Sequence, residues 1–139
     1  MRSLSLVLAA LLVIPWLAGC AGPADLTGIA LDEPFTLSPG QSASIKGEDL
    51  TVRFAEVVGD SRCPAGVTCI WAGEVSCLLE ITHAGQTDAK TLVQQGSGPA
   101  QTDFAGYRIA FDVQPYPRAG EKIDKGDYRL TLTFSKEPA

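Results

Sequence analysis

One histidine, four cysteines and the short polar run Asp60-Ser61-Arg62 are the parts of this 139-residue chain whose types could do chemistry. A nucleophilic hydrolase needs a Ser or Cys, a base and an orienting acid within hydrogen-bond reach. His83 is the one candidate base, with Ser61 as a nucleophile and Asp60 among several acids that could orient it. Their spacing does not bring them together, and neither a G-x-S-x-G elbow nor a papain-type cysteine context is present. A histidine beside Ala84-Gly85 reads first as a solvated turn residue. A small envelope hydrolase using His83 therefore stands as an alternative, and no catalytic residue is assigned.

Metal binding would draw on Cys63, Cys69 and His83. Structural zinc uses closely spaced pairs, normally two of them, and here a single C-x5-C stands alone. Asp124 and Asp127 flank Gly126, but the twelve-residue calcium loop with its closing Glu is missing. No phosphate-cradling glycine loop occurs. A metal-binding protein is the second alternative, and the expectation is no cofactor and no metal.

The elements that must position these residues follow a period of two. Phe35 and Leu37 alternate with Thr36 and Ser38, and a Pro39-Gly40 turn leads to Ala43 and Ile45. Leu50, Val52 and Phe54 alternate with Thr51 and Arg53; Val75, Cys77, Leu79 and Ile81 form a second clean series. A turn at His83 to Gln86 precedes a weaker strand over Lys90 to Gln94. Tyr107, Ile109, Phe111 and Val113 alternate until Pro115-Tyr116-Pro117, where missing backbone donors stop pairing. The last series is Tyr128, Leu130, Leu132 and Phe134. Six or seven short strands with Gly/Pro turns and no 3.6-residue stripe predict an all-β fold, a single antiparallel β-sandwich or small barrel over 34–139.

The N-terminus is built differently. Fourteen of the 63 hydrophobic residues fall in the first 19 positions, and the remaining 120 residues carry ten Lys+Arg against sixteen Asp+Glu. Met1-Arg2, an apolar run from Leu4 to Ile14 and small residues before Cys20 make a secretory signal, here expected as a signal helix over 1–19. Leu17-Ala18-Gly19-Cys20 resembles the lipobox of bacterial lipoproteins. The resemblance implies removal of 1–19, acylation of Cys20 and a membrane anchor, with 20–33 as lipidated cysteine and tether. Two or three acyl chains hold far more firmly than one. Lipoprotein sorting reads Ala21, in place of an aspartate, as release toward the periplasmic face of the outer membrane where one exists; otherwise the anchor sits on the outer face of the cell membrane. An acidic domain with no Lys/Arg cluster lacks the footprint for nucleic acid.

With Cys20 assigned to lipid, three cysteines remain. Export to an oxidising compartment favours a disulfide, and Pro64 to Thr68 can turn Cys69 back onto Cys63. Cys77, in phase with Val75 and Leu79, is expected buried and reduced. A bridge over so short a loop is worth roughly 2 kcal/mol. Arg62 could stack on Trp71, pair with Asp60 or face a ligand; Trp71 could pack over the bridge, plug the core or make contacts.

Two further resemblances apply. Asp60-Ser61-Arg62-Cys63-Pro64, with Gly66-Val67, Cys69, Trp71-Ala72-Gly73-Glu74 and the later Val113-x-Pro115-Tyr116-Pro117, is similar to a D-S-R-C-P-x-G-V-x-C-x-W-A-G-E pattern of small uncharacterised bacterial secreted proteins and lipoproteins. It carries no activity with it. Asp124 to Leu130 resembles the D-x-G-x-Y run before the tyrosine corner of immunoglobulin-like Greek-key folds, which implies a Tyr128 hydroxyl bonded to nearby backbone. Immunoglobulin domains have a cysteine where Leu130 stands and a further strand after it. The leading expectation is a non-enzymatic, lipid-anchored binding module for an envelope protein or other component, with Asp60, Arg62, Trp71 and Tyr116 as its contact surface.

Overall fold

The computed structural model describes residues 22–138. The expected signal helix over 1–19 and the expected lipidation at Cys20 lie outside the described residues. Among the described residues nine strands run β1 (Leu26–Ile29), β2 (Phe35–Leu37), β3 (Ser42–Ile45), β4 (Leu50–Asp60), β5 (Glu74–His83), β6 (Gln86–Gln95), β7 (Ala100–Phe104), β8 (Tyr107–Gln114) and β9 (Arg129–Lys136), with one 3-10 turn at Lys125–Asp127. They form a five-stranded sheet, β1-β3-β4-β5-β6, and a four-stranded sheet, β2-β9-β8-β7. Apart from the parallel β1–β3 pair, neighbouring strands are antiparallel. The fold is the expected β-sandwich, and it does not close into a barrel.

The period-two series decide which sheet faces touch. Along β5, Val75, Cys77, Leu79 and Ile81 are buried while the residues between them are more exposed. Along β8 and β9 the same alternation buries Ile109, Phe111 and Val113 against Leu130, Leu132 and Phe134. Each such apolar side chain removed from water contributes about 1.5–3 kcal/mol. Phe35 stacks with Phe134 at 6.2 Å between ring centroids. Gln94 is a buried polar group inside this core. Its amide donates to Asp112 Oδ1 (2.9 Å) and its carbonyl accepts from Val113 N (2.8 Å), so β6 of one sheet is bonded to β8 of the other.

Four features differ from the periodic reading, each for a local reason. β1 forms within the stretch expected as tether, because Leu26 and Ile29 pack against the core at a spacing of three, with Gly28 at φ 73° between them. β4 continues six residues past Phe54, but register shifts at Phe54/Glu56 and Val57/Gly59 break the alternation there. β6 begins at Gln86 with polar residues that pair in register with β5 while facing solvent. β7 pairs with β8 through the two-residue turn Ala105-Gly106.

Cys77 is buried and unbridged, and burial pushes its thiol up to about 12. The thiolate is the reactive species. Alkylation of the folded protein therefore leaves Cys77 unmodified, and in denaturant without reductant it reacts while Cys63 and Cys69 do not, as peptide-resolved mass spectrometry will read.

Candidate functional site

The segment between β4 and β5 is a hairpin that stays paired well beyond its strands. Gly59 faces Ser76 and Asp60 faces Val75. Ser61 N then donates to Glu74 O (2.8 Å), and Cys63 N donates to Ala72 O (2.8 Å). The arms lie so close that a Cβ on Gly73, whose φ is 68°, would sit 1.9 Å from the Ser61 carbonyl oxygen. Only glycine fits there. At the tip, Cys63 and Cys69 form the expected disulfide with Cα atoms 5.9 Å apart, and Val67 N closes a turn onto Pro64 O (3.2 Å).

Arg62 turns inward from this hairpin and is 3% exposed. Its guanidinium grips Asp60 as a fork, Nε to Oδ1 at 2.9 Å and Nη2 to Oδ2 at 2.6 Å. Nη1 donates to Val113 O and Nη2 to Pro115 O, both at 2.9 Å. The Tyr116 ring covers the guanidinium with its centroid 5.1 Å from Cζ, and its hydroxyl donates to Cys63 O (2.8 Å). Tyr128 donates to Asp60 Oδ2 (3.1 Å), and Ala65 N donates to Pro117 O (2.9 Å). The hairpin of one sheet is thereby latched to the end of β8 and the start of β9 in the other.

The electrostatics of the latch are balanced. Burial works to raise the Asp60 carboxyl, but the hydrogen bonds and charge of Arg62, aided by Tyr128, hold it below its usual value. Burial, followed by the Asp60 charge, pushes the Tyr128 hydroxyl up to about 12. A planar five-donor group that is always charged suits this position, where a carboxylate and two carbonyls must be met at once.

The expected contact surface therefore divides. Asp60, Arg62 and Tyr116 come together, but as a buried latch, and Arg62 is withdrawn from solvent instead of facing a partner. Trp71 stays outside: it neither packs over the disulfide nor plugs the core, and it is 81% exposed. Beside it Ile70 is 93% exposed and Val67 48%. Ile70 was missed, although Cys69-Ile70-Trp71 is a conspicuously apolar run for a turn. A shallow cavity of about 420 Å³ lies against the same tip, lined by Ser61, Trp71, Ala72, Gly73, Glu74 and Gln95. The tyrosine-corner expectation is corrected too. Tyr128 bonds the Asp60 side chain, 68 residues away, because the latch brings that carboxylate within reach.

His83 sits at the far end of the sandwich, edge-on to Tyr107 at 5.9 Å between ring centroids. Ser61 and Asp60 are near Glu74 at the other end of the ten-residue β5, a separation of about 30 Å at strand rise. Among the described residues no three His, Cys, Asp or Glu side chains gather closely enough to hold a metal ion. Comparison of the chain with protein-family models, curated proteins and solved structures finds no match.

Removing one partner of a buried ion pair leaves the other charge uncompensated, a loss of about 3–5 kcal/mol. Arg62→Ala is expected to lower stability by that amount in urea denaturation, whereas Trp71→Ala, at an exposed site, leaves it within about 0.5 kcal/mol.

The acid limb of stability follows the same carboxylate. Asp60 titrates below 3.8 in the folded protein and near that ordinary value when unfolded. Its contribution is complete above the unfolded value and is lost as pH falls through the folded one. Glu48 at the opposite end is likewise held low by Lys136 and Tyr107. In a Glu48→Gln background the thermal midpoint is expected to fall as pH drops below about 4, and to fall less when Asp60→Asn is added.

Proposed function

We propose that this protein is a lipid-anchored, non-enzymatic β-sandwich of the bacterial envelope that uses the tip of its 59–74 hairpin as a contact surface. The observation that carries the reading is the pairing of an immobilised loop with an apolar tip. Ile70 and Trp71 project into solvent from a segment closed by a disulfide and tied by the Arg62 latch. Exposed large apolar groups are costly to leave in water and, when clustered, mark interaction sites. Contact energy in interfaces concentrates in a few residues, with tryptophan prominent among them. Holding such a residue in place before contact removes part of the ordering cost of association. The anchoring half rests on the signal-like first 19 residues and the Leu17-Ala18-Gly19-Cys20 lipobox resemblance.

Two measurements test the two halves. In cells fed a labelled fatty acid, the wild-type chain is expected to take up label and sediment with membranes, and Cys20→Ala to do neither. A photo-crosslinking residue at position 70 is expected to capture an envelope component, protein or lipid. The same residue at Ala84, exposed in the turn at the opposite end, is expected to capture none; equal capture from both positions would remove the contact role of the hairpin.

A further inference from the structure

The chain enters the fold from the same end of the sandwich as the hairpin tip. β1 runs parallel to β3 and therefore toward the His83 end, so the residues preceding it lie on the side of the hairpin. Asp25 Oδ1 accepts from Ser42 N (2.9 Å), and Ser42 is level with Arg53, which is level with Glu80. From Glu80 to Val75, at the base of the hairpin, is five strand residues, about 17 Å. From Asp25 back to Cys20 is also five residues, a reach of at most about 18 Å. Cys20 thus reaches no farther than about the level of Asp60 and Val75, while Val67, Ile70 and Trp71 stand beyond that level.

We infer that the hairpin tip is a second membrane contact: with Cys20 lipidated, Ile70 and Trp71 enter the interfacial layer of the bilayer that holds the anchor. This rests on the anchoring reading above and names the envelope component that the hairpin touches. With so short a tether, an anchor seated in the membrane keeps the end of the domain that carries the hairpin near the same surface. Trp is at home where one side is apolar and its N–H remains wet, and interfacial segments bury their apolar side chains about 5–10 Å into the headgroup boundary.

Charge plays little part. The adjoining exposed loop carries Arg118, Lys122 and Lys125 against Glu121, Asp124 and Asp127, and Glu74 stands at the hairpin base. No net positive field draws this end to anionic lipid, so insertion is apolar and insensitive to salt. The disulfide and latch then act together to keep the tip projecting, since a loop free to fold back would hide Ile70 and Trp71 against the domain.

The chain carries its own probe. Of its two tryptophans, Trp16 precedes Cys20 and leaves with the signal segment, so the mature protein retains Trp71 alone. Lipidated protein extracted from membranes is reconstituted into phosphatidylcholine vesicles, with and without phosphatidylglycerol. Flotation reports the anchor; Trp71 emission and its quenching by acyl-chain-brominated lipid report the tip. The expected result is co-flotation, a shift of emission to shorter wavelength than a free tryptophan amide, and quenching that is the same in both lipid mixtures and at high salt. A Trp71→Phe/Gln86→Trp variant, with its probe at the far end, floats equally and is not quenched. Flotation with Trp71 unquenched would overturn the inference while leaving the anchor in place, and would direct the tip toward a protein. Failure to float would overturn both.

Discussion

The Arg62–Asp60 pair is the interaction on which the hairpin end of this molecule depends. It sits where the two sheets would otherwise part, and each of its groups answers to a different strand: Asp60 to the end of β4, Val113 and Pro115 to the end of β8, Tyr128 to the start of β9. An uncompensated charge at this depth is strongly destabilising, and the carboxylate, the two carbonyls and the covering Tyr116 ring meet the guanidinium together. Their reward is geometric. A hairpin that leaves one sheet is held to the other, and Gly73 lets its two arms approach closely enough to remain paired.

Rigidity of this kind gives meaning to the exposure of Ile70 and Trp71. A tryptophan at the tip of a loose loop would collapse onto the nearest apolar surface. Here the hydrogen bonds from Cys63 and Ala65, the disulfide and the Tyr116 hydroxyl fix the base of the tip. The outcome is a short apolar projection on an acidic domain, placed at the end from which the chain enters β1. The sole histidine lies at the other end, and the one unbridged cysteine among the described residues is sealed between the sheets.

Much of the sandwich was legible because alternation and burial are the same fact seen twice. Val75-x-Cys77-x-Leu79-x-Ile81 can bury one face only as a strand, and the register with its neighbours then follows. The signal faded where geometry interrupts alternation. β4 beyond Phe54 carries two bulges, β1 is short with Gly28 inside it, and β7 presents mixed residues at an edge. At the candidate site, the residue types Asp60, Arg62, Trp71 and Tyr116 were read as one contact surface, of which the structure brings Asp60, Arg62 and Tyr116 together and leaves Trp71 apart. Their division into a buried latch and an exposed tip was not legible, because an arginine's three possible uses have the same sequence spelling.

From the sequence alone came the all-β class, the Cys63–Cys69 bridge and the inward phase of Cys77, since each rests on local spacing: period two, a turn-forming run between two cysteines, and position within an alternating series. Tertiary structure decided the rest. Whether Arg62 faces solvent or carbonyls depends on the ends of β8 and β9, more than fifty residues away, and Trp71, in the same hairpin, is left at the surface. Long-range placement of this sort is set by how two sheets pack, and no local pattern encodes it.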